Sequence, residues 1–396
     1  MRKLKPSFVA NIKQRTGLFL VGLLLVLSTY FLSQSSASFL SQSSESIPVT
    51  QTNYIHKLER GINLSHWFFQ PTDGYTQTHL DTWITEADFS FLAEETKVTH
   101  VRLPIDPVFL QQKEAPYQIN QENFIYIDRA LNWAEKYRLG IIIDLHPDEE
   151  LDLKAGTSSQ AYQNLEQLWL EIARRYQNQP QNVIFELLNE PNVKNPYIWH
   201  EITQELSQAI RQIDQKHTLI VAAPGLSGPS EIADLVPISD SNVIYTFHFY
   251  DPLVFTHQQA FWDPVLSKLR DVPYPYEALR LEASQQKVSD PKALEELIWY
   301  EKDRYDKQKL LESLQAALQF RDRHKVQIYC GEFGVYQLAP TLDKYSWLQD
   351  VTQLLSQEDI GYALWEYHGS FGIIGEKTER VDQETLRAAG LYLGVS

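Results

Sequence analysis

The chain has 396 residues, 43% of them hydrophobic and 12% aromatic, ample for one large core, and about 340 remain once a distinctive N-terminal segment is set aside. Its formal net charge is −16 even though Arg2, Lys3, Lys5, Lys13 and Arg15 crowd the first fifteen positions, so the remainder is more acidic still. That balance argues against nucleic acid as a partner, and a single cysteine, Cys330, rules out an intrachain disulfide.

Residues 1–16 are basic and polar, and Gly17–Leu32 is an almost unbroken apolar run, the pattern of an export signal. The run falls short of the roughly 20 apolar residues that a membrane-spanning helix needs. Ser35-Ser36-Ala37 offers small residues for cleavage, which gives a mature chain from about Ser38. The alternative is an uncleaved anchor through residues 17–32, with its Lys and Arg on the cytoplasmic side. Either reading exports the protein, to the periplasm or the exterior. Ser33–Thr52, rich in Ser and Gln, reads as a tether. The expected division is therefore 1–37, a linker at 38–53, and one folded domain at 54–396.

From Tyr54 onward, short β-rich runs alternate with amphipathic stretches. Strands are expected at Gly61–Leu64, His100–Leu103, Ile141–Leu145, Val183–Leu188, Thr218–Ala222, Val243–Phe247, Ile328–Gly331 and Gly361–Leu364. Helices are expected at Glu86–Glu95, Glu122–Arg138, Tyr197–Asp214, Pro291–Tyr300 and around Tyr345–Leu355. Phe124, Ile127, Leu131 and Ala134 recur at three- and four-residue steps, as do Leu165, Leu168, Ile172 and Tyr176 in a further helix. Eight such strands with helices between them predict an α/β fold, a (β/α)8 TIM barrel. One connection is out of proportion: Asp251 to about Asp306, after the sixth strand, holds Trp262 and Pro273-Tyr274-Pro275-Tyr276. Long ordered loops of this kind serve function, and this insertion is expected to wall one side of a cleft.

Chemistry-bearing residues collect at the C-terminal ends of these strands. Val183–Leu188 is stopped by Asn189-Glu190-Pro191, since proline cannot donate to a sheet ladder. Glu332 likewise ends the seventh run and is followed by Phe333-Gly334. Arg102, His146, His248, Tyr250 and Trp365 fall at the same ends of other strands. In a parallel barrel that end carries the active site, and unrelated surface residues would scatter between both ends. Two carboxylates at one mouth point to acid–base or nucleophilic chemistry on a shared substrate.

Leu188-Asn189-Glu190-Pro191 and Gly331-Glu332-Phe333-Gly334, with Val101-Arg102-Leu103-Pro104, Asp144-Leu145-His146, Phe247-His248-Phe249-Tyr250 and Ala363-Leu364-Trp365-Glu366 in the same order, resemble glycoside hydrolase family 5, the cellulase-type retaining glycosidases. The likeness covers about residues 58–370. It implies Glu190 as general acid/base and Glu332 as nucleophile, and a β-linked polysaccharide as substrate. It further implies that Asn189 contacts the sugar 2-hydroxyl, Tyr250 hydrogen-bonds the nucleophile and His248 supports the acid/base. His146 then lines the sugar site, and Trp365 forms the floor under the attacked ring. Arg102 is expected to favour the ionised nucleophile. His66 and Trp67, after the first strand, are expected to line the substrate. Trp262 and Tyr336 divide evenly between site and core.

The leading substrate is β-1,4-glucan, with mixed-linkage glucan, mannan and xyloglucan as alternatives. The many Trp and Tyr side chains suit sugar stacking, although a core uses them too. A metal-dependent barrel hydrolase would need a His-x-His pair after strand one, which Asn63-Leu64-Ser65-His66 does not provide. No metal or other cofactor is expected, and a monomer is. A non-catalytic sugar-binding relative is disfavoured by the presence of both glutamates. Cys330 is expected to be buried and inert, and Glu186, inside the fourth strand, to have a structural partner.

Overall fold

Eight short segments, each too short for a helix and nearly all buried on both faces, call for a sheet covered on both sides. In the computed structural model, which describes residues 58–112, 115–375 and 380–394, these runs are β1 (Arg60–Asn63), β2 (His100–Ile105), β3 (Gly140–Leu145), β4 (Val183–Glu186), β5 (Leu219–Ala222), β6 (Val243–Phe249), β7 (Gln327–Phe333) and β8 (Gly361–Leu364). All neighbours are parallel, and β1 pairs with both β2 and β8, so the sheet closes into a barrel. The expected (β/α)8 architecture is therefore the observed one. The segments 1–37 and 38–53 lie outside the described residues. Among the described residues no helix is long and apolar enough to cross a membrane.

Side-chain alternation along the strands sorts residues into two cores. Ile142, Ile184, Ile220, Ile244, Tyr329 and Ala363 point into the barrel and fill its interior with Leu58. Their neighbours, such as Ile141, Ile143, Phe185 and Val221, face the helices instead. His100 also points inward and hydrogen-bonds Tyr329 across the barrel at 2.7 Å. Gly61 makes room for it, since a Cβ there would sit 2.2 Å from the imidazole.

The outer helices follow from apolar stripes and caps. In the helix Gln160–Tyr176, Leu165, Leu168, Trp169, Ile172, Ala173 and Tyr176 are buried, and Ser159 accepts from the Tyr162 amide at its start. Each fully buried large apolar side chain contributes about 1.5–3 kcal/mol. Pro196–Arg211 starts on an Asn195 cap with proline at its first turn, and Lys307–His324 on an Asp306 cap. After β5 the connection holds only a 3-10 turn, Ile232–Asp234.

The insertion after β6 serves two ends. Its first part stays near the strand ends, where the Thr256 hydroxyl donates to Tyr250 O at 2.6 Å and Tyr336 N donates to Thr256 O at 2.8 Å. Of its distal helices, Pro291–Asp303 packs on Leu253–Thr256 and on Ala278–Gln285, and the latter reaches an outer helix. Arg280 pairs with Asp343 at 2.6 Å and Tyr274 OH donates to Asp350 at 2.9 Å, both on the helix Thr341–Gln357. The stretch before Asp263 is thus the part that stays near the strand ends, while Tyr274 and Arg280 tie the later part to that outer helix.

Candidate active site

Above the apolar layer the barrel interior turns polar around one cation. Arg102 is fully buried at the second strand, and its guanidinium reaches five side chains. It forks onto Glu186, with Nε and Nη2 each 2.8 Å from a carboxylate oxygen. Nη1 donates to Asn63 Oδ1 at 3.0 Å and to Glu332 Oε1 at 2.9 Å. Nη2 also donates to Asn189 Oδ1 at 2.9 Å and lies 3.0 Å from Asp144 Oδ2. A buried guanidinium needs such a set of acceptors, since an unpaired charge there would be far too costly. The surrounding carboxylates hold its pKa well above the ordinary value against the opposing effect of burial.

Glu332 reaches the mouth through an irregularity in β7. Tyr329 and Gly331 face inward, so strict alternation would turn Glu332 toward the helices. The pairing register with β6 slips between Phe247 and His248, as it does with β8 between Tyr362 and Leu364. That bulge aims Glu332 inward beside Gly331, the re-aiming that bulges provide near active sites. Gly331 is required there: a Cβ would lie 2.7 Å from Thr246 Oγ1 and 3.4 Å from His248 Nε2. Glu332 then accepts from Arg102 on Oε1 and from Tyr250 OH on Oε2, the latter at 2.9 Å. A cation and a hydroxyl donor, one on each oxygen, stabilise negative charge on this carboxylate. Burial, and then the same contact, raise the Tyr250 phenol far above its usual range, so it stays a donor.

Glu190 follows the end of β4, where Leu187 N and Asn189 N still donate to Ile220 O and Leu145 O and prolong the ladder. Its own φ is +35°, a left-handed backbone conformation that side chains other than glycine rarely adopt. Desolvation raises its pKa from 4.5 to about 7, with Arg102 pulling the other way. His248 Nδ1 sits 2.9 Å from Glu190 Oε1 and 3.6 Å from Glu332 Oε2. Burial lowers the pKa of His248, and its Nε2 is buried without a partner. A lone pair is cheaper to leave there than an N–H, so the neutral ring carries its proton on Nδ1, between the two carboxylates.

Oxygens of Glu190 and Glu332 and a nitrogen of His248 lie within 4.8 Å of one another. Among the described residues this is the group with the donors to hold a cation. Both Glu332 oxygens already accept from Arg102 and Tyr250, however, and a second cation beside the guanidinium would be repelled. The donor set fits proton transfer better than a resident metal.

His146 and Trp365 complete the floor. Burial drives the His146 pKa well below its ordinary value, so the ring is neutral. It stacks on Trp365 with centroids 5.6 Å apart, and Phe69 contacts both rings. His66 lies at the rim, partly exposed, with Nε2 3.3 Å from Glu366 and Nδ1 3.0 Å from Gln70 O. Ser65 also donates to Glu366.

Trp67 does not line this site, contrary to expectation. It is fully buried, stacks on Phe68 and Trp133, and donates to Leu80 O at 3.1 Å, which puts it in the layer between barrel and helices. Of the two evenly divided aromatics, Tyr336 is buried, whereas Trp262 is 44% exposed. Trp262 packs against Tyr336 and Phe371 beside His257 and Tyr250. The sequence reading passed over Asn63, Asp144, Phe69 and Glu366. Asp144 and His146, two apart on one strand, share a face, which was the available signal for the second of these.

A match to the family described as Cellulase (glycosyl hydrolase family 5) spans residues 65–370. The chain belongs to glycosyl hydrolase family 5. Endoglucanase C of Acetivibrio thermocellus is 33% identical to this family 5 chain over 335 residues, covering 82% of it and 95% of the relative. Cellodextrinase A of Ruminococcus flavefaciens is 29% identical over 310 residues, covering 76% and 83%. Thermotoga maritima Cel5A, solved in complex with cellobiose and with mannotriose, matches at a TM-score of 0.66 and 26% identity, covering 85% of this chain and 99% of that one. The protein is a cellulase-like glycosidase, and the barrel mouth just described is the candidate site of its chemistry.

Proposed function

We propose that this family 5 enzyme cleaves β-1,4-linked glucan internally by double displacement, with Glu190 as acid/base and Glu332 as nucleophile. The observation that carries the reading is the pair itself: oxygens within 4.8 Å, one carboxyl pushed up to about 7, the other held by a cation and a phenol. A carboxyl separation of about 5–5.5 Å goes with retention through a covalent intermediate.

In the first step Glu190 gives its proton to the glycosidic oxygen while a Glu332 oxygen attacks the anomeric carbon. The C–O bond to the leaving sugar breaks and an ester bond to Glu332 forms. Glu190, now a carboxylate, takes a proton from a water molecule that attacks the same carbon and releases Glu332. Arg102 and Tyr250 hold Glu332 ready before attack and take up its charge again on release. The Nδ1–H of His248 serves whichever glutamate is ionised at each stage.

Glu332→Gln tests the assignment: the variant folds like the parent and loses hydrolysis. Persistent turnover would place the nucleophile elsewhere. NMR of the first product separates the stereochemical claim, since an inverted anomer contradicts a covalent intermediate.

A second substrate reading, β-1,4-mannan, is favoured by the mannotriose complex of Cel5A. Rates on soluble β-glucan, mannan and xyloglucan decide between them. Export is proposed on the basic and then apolar N-terminal sequence alone. Recovery of the enzyme in the cytoplasmic fraction would overturn it.

A further inference from the structure

We propose that Asp144 is a positioning residue that acts through His146 to fix the amide of Asn189. The inference rests on the proposed function for its kinetic arm only. Asp144 is fully buried on β3, in register with Glu186 of β4, on the inward face below His146. His146 Nδ1 lies 2.8 Å from Asp144 Oδ2, and His146 Nε2 lies 2.9 Å from Asn189 Nδ2. Asn189 Oδ1 accepts from Arg102 Nη2.

The chain of donors and acceptors has one consistent solution. A guanidinium cannot accept, so the amide oxygen must face Arg102 and the amide nitrogen must face His146. His146 Nε2 must then accept, and its proton sits on Nδ1, directed at Asp144. An acceptor at Asp144 holds this tautomer from the other side of the ring. One amide hydrogen of Asn189 is taken by His146, and the second is left for the sugar 2-hydroxyl, the contact that the family resemblance assigns to this residue. The wrong tautomer would set two N–H groups against each other and turn the amide out of this arrangement.

Asp144 carries a second mark of this role. Both of its partners, Arg102 and His146, sit on Oδ2, while Oδ1 is buried with no hydrogen-bond partner in the protein. A carboxylate kept for stability alone would use both oxygens, because an unmatched buried acceptor is costly. Burial also raises the Asp144 pKa to about 7 despite Arg102. A proton on Oδ1 would leave Oδ2 accepting, at the cost of a buried O–H without a partner, so the tautomer lock does not require the charge. What His146 requires of position 144 is an oxygen acceptor rather than a charge.

The first test needs no change at Asp144. Long-range 15N–1H NMR of histidine-labelled enzyme, with His146→Phe used for assignment, reads the tautomer directly. Nδ1–H is expected for His146, and Nε2–H in the resting enzyme overturns the proposal. The second test compares Asp144→Leu with Asp144→Asn on a p-nitrophenyl β-cellobioside and on its 2-deoxy analogue. Asp144→Leu removes the acceptor and lowers kcat about 10- to 100-fold on the first substrate, with KM little changed. It lowers kcat much less on the 2-deoxy analogue, which has no 2-hydroxyl for Asn189 to hold. Asp144→Asn keeps an oxygen toward Arg102 and His146 and recovers most of the loss, as a charge-dependent role would not. Equal loss on both substrates, or no loss in Asp144→Leu, overturns the proposal. Should Asp144→Leu fail to fold, Asp144→Ala carries the same comparison. A wild-type enzyme inert toward the cellobioside counts against the glucan reading, while the His146 tautomer measured in Asp144→Leu still decides the role of Asp144: loss of a single Nδ1–H form is expected, and an unchanged Nδ1–H overturns the proposal.

Discussion

At the scale of single residues the site is governed by how burial and one cation divide the charge. Glu190 titrates near 7 because desolvation outweighs Arg102. In the proposed first step it gives up a proton, so kcat/KM should fall on the alkaline side with an apparent pKa of about 7. The same shift has a consequence for stability. The folded state holds this proton more tightly than the unfolded chain, whose carboxyl titrates near 4.5. The resulting stabilisation is complete below about 4.5 and is lost as pH rises through about 7. Glu190→Gln, which cannot ionise, should therefore gain melting temperature over the parent above pH 7 and gain nothing from this source at pH 4. A difference independent of pH would contradict the raised pKa. Arg102 is the opposite case. Its removal strands Glu186, Asp144 and Glu332, and Arg102→Leu should cost about 3–5 kcal/mol in urea unfolding at neutral pH. A loss below 1 kcal/mol would mean the carboxylates are already neutral.

At the scale of strands and loops, the bulge in β7 decides the geometry. Gly331→Ala brings a methyl against Thr246 Oγ1, 2.7 Å from the ideal Cβ. The expected outcome is a destabilisation of about 1–3 kcal/mol together with a fall in kcat, as Glu332 shifts with its neighbour. Unchanged stability and kcat would show that the bulge is not needed to aim it. This bulge is also where sequence periodicity reached its limit. The run before Glu332 was legible as a strand, but it was expected to stop at Gly331 and instead continues to Phe333. A two-residue period cannot announce the position at which it breaks. Trp67 shows a related limit, since an indole just after a strand reads the same whether it faces the mouth or the helices. Its partner Leu80 is thirteen positions on, in a segment whose packing no local pattern specifies. The strand order, the outer helices and the residues at the mouth were legible because each rests on a local signal: alternation, an apolar stripe, or a proline or glycine stop. The network under the mouth was not, because Arg102 meets Glu186, Asn189 and Glu332 at separations of 84, 87 and 230 residues. Asp144 and Glu186 take on their role only once the closed barrel brings that guanidinium between them.

At the scale of the whole molecule, the negative net charge predicts a preference among polymers of similar shape. With a formal net charge of −16, the enzyme should repel an anionic derivative such as carboxymethyl cellulose and be indifferent to a neutral β-glucan. Raising ionic strength from low salt to about 0.15 M, where the screening length is about 8 Å, should lower KM on the anionic polymer and leave the neutral one unaffected. An equal response on both would remove net charge as a factor in substrate choice. The first part of the insertion after β6 brings Trp262 and His257 beside Tyr250 and Phe371. Farther along, Tyr274 and Arg280, the latter on the helix Ala278–Gln285, tie the insertion to the helix Thr341–Gln357.

The central claim is that Glu190 and Glu332 share one sugar in a double displacement. The most direct measurement is mass spectrometry of the enzyme after incubation with a 2-deoxy-2-fluoro cellobioside bearing a good leaving group, which forms the ester quickly and hydrolyses it slowly. The expected result is one fluorocellobiosyl adduct on the peptide containing Glu332, with none in Glu332→Gln. An adduct on Glu190, or no adduct while the parent substrate is still hydrolysed, would contradict the account.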